Sequence, residues 1–523
     1  MSSSASSGLS APTLESVTPA AQAAPAEKHT YGQILKSSAL IGGSSVLNIG
    51  IGIVRTKVMA ILLGPAGVGL VGLYTSISDL GLSIAGMGVN SSGVRQIAEA
   101  VGSDNTERIA LTATVLRRTS LILGLLGASL LLVFSRQVSR VTFGNDHYAG
   151  AVSLLSIAVL FRVISAGQSA LIQGMRRIAD LAKMGVLGAF FGTLISIPLV
   201  YFFREQGIVP SLVCVAAMTV LTSGWYSRKV EIQAPRMSAS QVGHEAAGLL
   251  KLGFAFMATG LMTVGAAFLI RITILHQLGV EAAGLYQSAW TLAGLYVGLI
   301  LQAMGADFYP RLTAQANDHP ACNRIVNEQA RVGLLLAGPG VTATLTFAPV
   351  VIALFYSAKF SAAVGLLRWL CLGTALQVIT WPMGFIILAK GRQNLFFWSE
   401  LVWTVFYIGV AWLCIRSFGL NGAGIAFFAA YVFHVFLIYP IVRQVSGFRW
   451  STENQRTALL FLALIALVFG GFSLLPFAWA VLVGTLTFLA SSVYSLRRIL
   501  NLVSLDRLPR PVRQFLLGFG TAA

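Results

Sequence analysis

Charge is what this chain has least of. Of its 523 residues only 10% are Asp, Glu, Lys or Arg, where soluble domains carry about a quarter. So few charges cannot clothe a water-facing surface of this size, which excludes the ordinary soluble classes. Acids are the scarcest, 18 against 36 Lys and Arg. Cysteine is nearly absent as well. Cys214, Cys322, Cys371 and Cys414 are scattered, three of them within apolar segments, so neither a disulfide framework nor a thiolate metal site is expected. Asp-x-Asp, His-Glu-x-x-His and Gly-x-x-x-x-Gly-Lys-Ser/Thr are all missing. Sugar-nucleotide transfer, zinc chemistry and ATP hydrolysis therefore lack support, and no metal or cofactor is implied.

What the chain has instead is apolar runs of about 20 residues, recurring from Ile34 to Ile499. Backbone polar groups in lipid must be satisfied within the segment, and no short alternating strands are present. The fold class is an all-α polytopic membrane protein. Fourteen spans are expected, at about 33–63, 68–94, 107–134, 148–175, 180–203, 208–228, 249–278, 283–311, 328–356, 360–390, 395–417, 420–444, 457–476 and 478–498. Residues 1–30 are rich in Ser, Ala and Pro and lack the basic start and apolar core of a signal peptide, so they read as a disordered tail.

Basic residues set the orientation. Alternate loops hold Arg95, Arg108, Arg176, Arg177, Lys183, Arg228, Lys229, Arg236, Lys251, Arg311, Arg324, Arg331, Lys390, Arg392, Arg443, Arg449 and Arg456, seventeen in all. The opposite loops hold five: Arg136, Arg140, Arg204, Lys359 and Arg416. That bias places both termini in the cytoplasm. It also accounts for much of the +18 net charge without any nucleic acid partner.

The chain resembles itself. Leu63-Gly64 followed by Gly69-Leu70 recurs as Leu278-Gly279 followed by Gly284-Leu285, each after an arginine, Arg55 or Arg271. The run from Tyr148 to Leu155 parallels that from Phe360 to Leu367. Six helices separate the copies, so both halves enter the membrane in the same direction and substrate is expected between them. The organisation that follows is a cytoplasmic tail (1–30), an N-lobe of helices one to six (31–230), a linker (231–248), a C-lobe of helices seven to twelve (249–445), and an extra helix pair with a basic tail (446–523). Two parallel six-helix lobes would surround a central cavity.

Ionisable side chains inside a membrane are costly and normally face a cavity or a partner. Ser37, Ser44, Asn48 and Arg55 fall on nearly one face of the first helix. Such a stripe reads as a cavity lining, the alternative being that Arg55 snorkels to the outer interface. Lys57 lies about 200° around from Arg55. Arg271 occupies the matching place in the second half, eight residues before Gly279. Arg162, followed by Ser165, Ser169 and Gln173, fits a functional role or a structural hydrogen-bonding one equally well. Asp79 could carry a coupling proton or Na⁺, sit neutral and hydrogen-bonded, or bridge to Arg55. Four deep cations (Arg55, Lys57, Arg162, Arg271) against one carboxylate favour an anionic ligand, and arginine's planar fork suits phosphate oxygens. A polar headgroup could be read by Gln173, Gln302, Gln377 or the tryptophans.

These residues resemble the multidrug/oligosaccharidyl-lipid/polysaccharide exporter superfamily, and within it the Wzx-type polysaccharide flippases. The resemblance covers about residues 31–445 and rests on Lys57 through Leu63-Gly64-Pro65-Ala66-Gly67, Arg271, Tyr309-Pro310-Arg311-Leu312, Lys359-Phe360 and Ala389-Lys390-Gly391. It implies a non-enzymatic inner-membrane transporter that moves undecaprenyl-diphosphate-linked oligosaccharide outward by alternating access, for O-antigen or other surface polysaccharide. Its expected partners are that lipid, the surrounding membrane lipids, H⁺ or Na⁺ as coupling ion, and polysaccharide polymerase machinery. In the related peptidoglycan-precursor flippases an essential first-helix arginine sits at the spacing Arg55 has before Gly64. Such flippases usually have twelve helices, so the pair at 457–498 is a departure. The alternatives are a multidrug/cation antiporter of the same fold, which the cation-rich cavity argues against, or a membrane polysaccharide polymerase or ligase. An enzyme of that kind would need a large outer loop with reactive groups, and the outer loops here are short.

Overall fold

A computed structural model describes residues 24–102, 106–230 and 239–502, and among these there is helix and no strand. The N-lobe comprises α1 (Ala24–Gly86), α2 (Val89–Gly102), α3 (Thr106–Val133), α4 (Ser135–Phe143), α5 (Ala149–Gly174), α6 (Ile178–Phe203) and α7 (Ile208–Arg228). The C-lobe comprises α8 (Ala239–Ala314), α9 (His319–Thr346), α10 (Ala348–Phe355), α11 (Val364–Ala389), α12 (Gln393–Phe418) and α13 (Leu420–Ser446). Two further helices follow, α14 (Thr452–Leu474) and α15 (Phe477–Leu502).

Ten of these helical stretches are long and apolar enough to cross a bilayer, and α9 with α10, bent by 83°, supplies an eleventh. Three of the ten are double, namely Gly43–Gly86, Ile178–Arg228 and Phe256–Gly298. Counting each half separately brings the number to the fourteen spans expected. The doubles are not straight rods. In α1 the backbone turns at Gly64 (φ 67°, ψ −171°) and in α8 at Gly279 (φ 86°, ψ 175°). Only glycine visits that region readily, so the repeated Leu-Gly pair marks the two corners.

Helices pack through small residues, as expected where lipid offers no hydrophobic driving force. A methyl on Gly127 of α3 would lie 2.2 Å from Ala85 Cβ of α1, and one on Gly422 of α13 would lie 2.0 Å from the Cys414 carbonyl of α12. Apolar cores centre on Leu155, Ala158 and Val159 in the first lobe and on Leu367, Leu370 and Phe427 in the second, and each takes residues from across the seam, Phe268 and Ile272 into the first and Ala60 and Val68 into the second. Between the lobes, α1 runs along α8.

The last two helices seat on the outside of the C-lobe, against α9. Gly338 of α9 gives way to the Phe461 ring of α14, and Gly484 of α15 abuts Thr346. At one end, Asn454 Nδ2 donates to the Asn327 carbonyl (2.7 Å), Asn327 Oδ1 accepts from the Ser451 amide (2.8 Å), and Arg331 pairs with Glu453. Helix begins at Ala24 and again at Ala239, inside stretches read from sequence as tail and linker. The rest of those stretches, and the basic tail beyond Leu502, lie outside the described residues.

Candidate functional site: the seam between the lobes

At the kinked end of the molecule the two lobes touch backbone to backbone. A methyl on Gly69 would lie 2.3 Å from the Val280 carbonyl, and one on Gly284 would lie 1.8 Å from the Pro65 carbonyl. The repeat therefore has a second meaning: its second glycines let α1 and α8 cross without side chains between them. Toward the far end of the seam, a methyl on Gly88 would lie 2.0 Å from the Gly253 carbonyl.

Two cross-lobe hydrogen bonds flank the kinked end. Lys57 Nζ of α1 donates to the Ala353 carbonyl of α10 (2.6 Å). His276 Nε2 of α8 lies 3.0 Å from the Thr142 carbonyl of α4. A carbonyl only accepts, so Nε2 carries the proton. Both acceptors belong to the last turn of a short helix, where carbonyls lack intrahelical partners and the dipole favours cations. Helices α4 and α10 occupy corresponding places in the two halves, so each lobe's first helix caps the other lobe's short helix. Just beyond α4, Arg140 grips Asp146 through two nitrogens (2.6 Å each). These hydrogen bonds hold the Asp146 carboxyl below its ordinary range.

The charged residues picked out from sequence divide three ways. Arg55 is half-buried, and no hydrogen bond or ion pair to a described residue engages it. Asn48 lies one heptad earlier on the same face, its Oδ1 buried without a partner and its Nδ2 3.4 Å from where a Gly185 methyl would be. This face of α1 thus turns toward α6, within the N-lobe, rather than straight across the seam. Arg162 of α5 is paired: one terminal nitrogen meets Asp79 Oδ1 at 2.6 Å and the other donates to Ser78 Oγ at 2.9 Å. The partner of Asp79 is therefore Arg162, not the Arg55 bridge weighed from sequence. Arg271 donates from Nε to Gln287 Oε1 (3.0 Å) and from a terminal nitrogen to the Ala267 carbonyl (3.2 Å), and it lies 5.9 Å from the Tyr286 ring centre. All of these partners are uncharged.

Arg55 stands nine residues before its glycine corner and Arg271 eight. That one-residue difference rotates them by about 100° relative to each other. The sequence match hid this, and it explains why one faces α6 and the other reaches Gln287. Gln287 itself lies on the seam, since a methyl on Gly72 of the N-lobe would be 2.9 Å from its Oε1. Lys57, placed with the cavity cations from sequence, spends its ammonium on Ala353.

Sequence reasoning passed over several groups. Arg368 of α11 lies 3.6 Å from the Phe472 ring centre of α14 and ties the extra pair to the C-lobe. Glu400 of α12 is a second intramembrane acid. Gln287 and His276 had no periodicity to single them out, because one polar residue among apolar neighbours is visible only once its partner is known. Ser37 and Gln302, noted from sequence, have side chains outside the described residues.

Two parallel bundles joined at a glycine crossing, with two arginines in membrane-spanning helices that no described carboxylate pairs, point to a membrane transporter. Residues 58–365 match a family model described as polysaccharide biosynthesis protein. The chain belongs to that family. Among curated relatives, the lipid III flippase of Escherichia coli (strain K12) is 23% identical over 403 residues, covering 76% of this chain and 95% of that protein. Among solved structures, the lipid II flippase MurJ in an inward closed conformation superposes with a TM-score of 0.64 at 13% identity, covering 88% of this chain and 99% of that one. A multidrug resistance MATE family transporter of the MOP superfamily, in an inward-facing conformation, gives 0.63 at 17% identity over 77% of this chain and 99% of its own. This polysaccharide biosynthesis family member thus has the fold of the MOP superfamily and is a multi-pass membrane protein.

Proposed function

We propose that this chain is a flippase that carries an undecaprenyl-diphosphate-linked oligosaccharide from the cytoplasmic to the periplasmic leaflet of the bacterial inner membrane, for surface polysaccharide biosynthesis. The observation that carries the reading is the pair of uncompensated arginines. Among the described residues Arg55 in one lobe and Arg271 in the other have no carboxylate partner, while Arg162 has Asp79. An unpaired guanidinium in a low-dielectric site is stabilised by an anionic ligand, and a diphosphate offers oxygens that match its fork. A cation antiporter of the same fold would need the opposite balance. The lipid III flippase relative and the family's biosynthetic role support the same substrate class.

Orientation follows from the basic loops, with both termini in the cytoplasm. The kinked end with Gly69 and Gly284 is then periplasmic and closed, and Gly88 meets Gly253 at the opposite end, so the described arrangement is an occluded member of an alternating-access cycle. Transport needs that glycine crossing to open while the lobes rock as bodies. Asp79 is the carboxylate positioned to couple an H⁺ or Na⁺ gradient to the cycle, because protonating it would release Arg162. Binding tests the diphosphate requirement. In nanodiscs, undecaprenyl diphosphate should bind the wild-type protein and undecaprenol should not. Equal binding of the two lipids, or a preference that Arg55→Ala and Arg271→Ala both leave intact, would count against the proposal.

A further inference from the structure

The C-lobe contains a cavity of about 250 Å³ between α8, α11, α12 and α13. Its walls are a continuous set of touching rings. Tyr286 stacks on Trp290 (5.8 Å between centres), and Trp290 meets Phe427 edge-on (5.2 Å). Phe427 meets Tyr431 (5.0 Å), while Trp403 lies 5.6 Å from Tyr407 and 5.5 Å from Tyr431. Ring-to-ring packing of this kind fixes each aromatic face before any ligand arrives.

Polar groups on the walls are few. Tyr407 is 4% exposed, and its hydroxyl meets that of Tyr286. Buried hydroxyls are normally satisfied, and two that share one hydrogen bond still hold a second proton for another acceptor. Gln377, on the same wall, makes no side-chain hydrogen bond to a described residue. The mouth is bare: Gly294 and Gly298 of α8 are exposed, with nothing within 4 Å of where a Cβ would stand.

From this we infer that the cavity is a sugar subsite, receiving one pyranose ring of the lipid-linked oligosaccharide next to its diphosphate. That volume is well above the ~10–15 Å³ that one water needs on the same measure, so the cavity admits a ring-sized group. An organic cation is disfavoured because the Arg271 guanidinium lies over the Tyr286 wall and no carboxylate is among the described lining residues, Glu400 acting on the Tyr431 ring without being one of them. A hydrocarbon tail would leave the Gln377 amide and the spare proton of the Tyr286–Tyr407 hydroxyl pair unsatisfied. A pyranose presents C–H faces to the rings and hydroxyls to those two groups. Arg271 stands beside the Tyr286 wall, so a diphosphate held there places the first sugar at the cavity. The inference rests on the proposed role of Arg271 and adds the part of the substrate that the C-lobe reads.

The experiment compares undecaprenyl diphosphate with the same lipid carrying glucose, galactose or N-acetylglucosamine, using the full-length protein in nanodiscs. At least one sugar-bearing lipid should bind about tenfold more tightly than the bare lipid. Gln377→Ala and Tyr407→Phe should erase that preference and leave affinity for the bare lipid unchanged. Gly294→Leu, which blocks the mouth where open space surrounds the new side chain, should do the same without touching the ring cage. Equal binding of bare and sugar-bearing lipids by the wild type would overturn the subsite while leaving the flippase reading standing. Survival of the preference in both Gln377→Ala and Gly294→Leu would overturn it too. Loss of bare-lipid affinity in Gly294→Leu would show that the cavity holds the chain instead. Failure of every lipid diphosphate to bind would remove the proposed function, and the subsite with it.

Discussion

Adding one methyl group at Gly284 should hold the kinked end of the molecule open. Its carbon would stand 1.8 Å from the Pro65 carbonyl oxygen, whereas even the closest C–H···O contacts need about 3.3 Å. The lobes must therefore part by about 1.5 Å, with backbone on both sides of the contact and no flexible side chain to yield. Overpacking of this kind costs about 1–3 kcal/mol. That cost falls only on the state in which the crossing is closed, so its population relative to the open state should drop about 5–150-fold. Spin labels at the exposed His147 and Glu281, read by pulsed electron resonance in nanodiscs, would report the opening. Gly284→Ala should move the distance distribution toward longer values and slow transport, and Gly69→Ala should do likewise. Gly265→Ala, with nothing near its new methyl, serves as the control. If Gly284→Ala leaves both the distribution and the transport rate at wild-type values, the glycine crossing is not the closing contact.

Four further outcomes are expected. Arg271→Ala and Arg55→Ala should each abolish export at normal protein levels, with Arg→Lys restoring only part because the planar fork is lost; complementation of polysaccharide export reads this directly. Asp79→Asn should cost about 1–3 kcal/mol, between the values for exposed and fully buried ion pairs. It should also flatten any dependence of transport on a proton or sodium gradient, which thermal unfolding and flux assays with and without a gradient would separate. Lys57→Met combined with His276→Ala should raise the open population at the kinked end beyond either single change, in the same spin-label experiment. Because Arg140 holds the Asp146 carboxyl below its usual range, that clip is intact at neutral pH and is lost as pH falls through the lowered value; hydrogen exchange of the Gly144 amide should quicken there and not before.

Much of the fold could be read from composition and period. Span number and the parallel halves follow from apolar length and from a glycine pair repeated 215 residues apart, because a corner and a crossing impose glycine wherever they occur. The site was harder. Arg55 and Arg271 stood out as charges in apolar surroundings, but one residue of register turned them onto different faces, a difference the matched motif conceals. The Asp79–Arg162 pair joins α1 to α5, and helical spacing cannot say which of several arginines a carboxylate will meet. The aromatic cage was invisible for another reason. Its rings come from three separated helices, and Trp, Tyr and Phe are unremarked in any one of them until packing brings them face to face.

Proteoliposomes test the central claim most directly. Purified protein would be reconstituted with an undecaprenyl-diphosphate-linked oligosaccharide in one leaflet, and its appearance in the other followed by a membrane-impermeant glycosidase or lectin. The account predicts translocation that requires the protein, is lost in Arg271→Ala, and is blocked by a verified disulfide that joins the two lobes at the kinked end away from the Gly69–Gly284 contact. Translocation that proceeds undiminished through that crosslink, or that never exceeds protein-free vesicles, would contradict it.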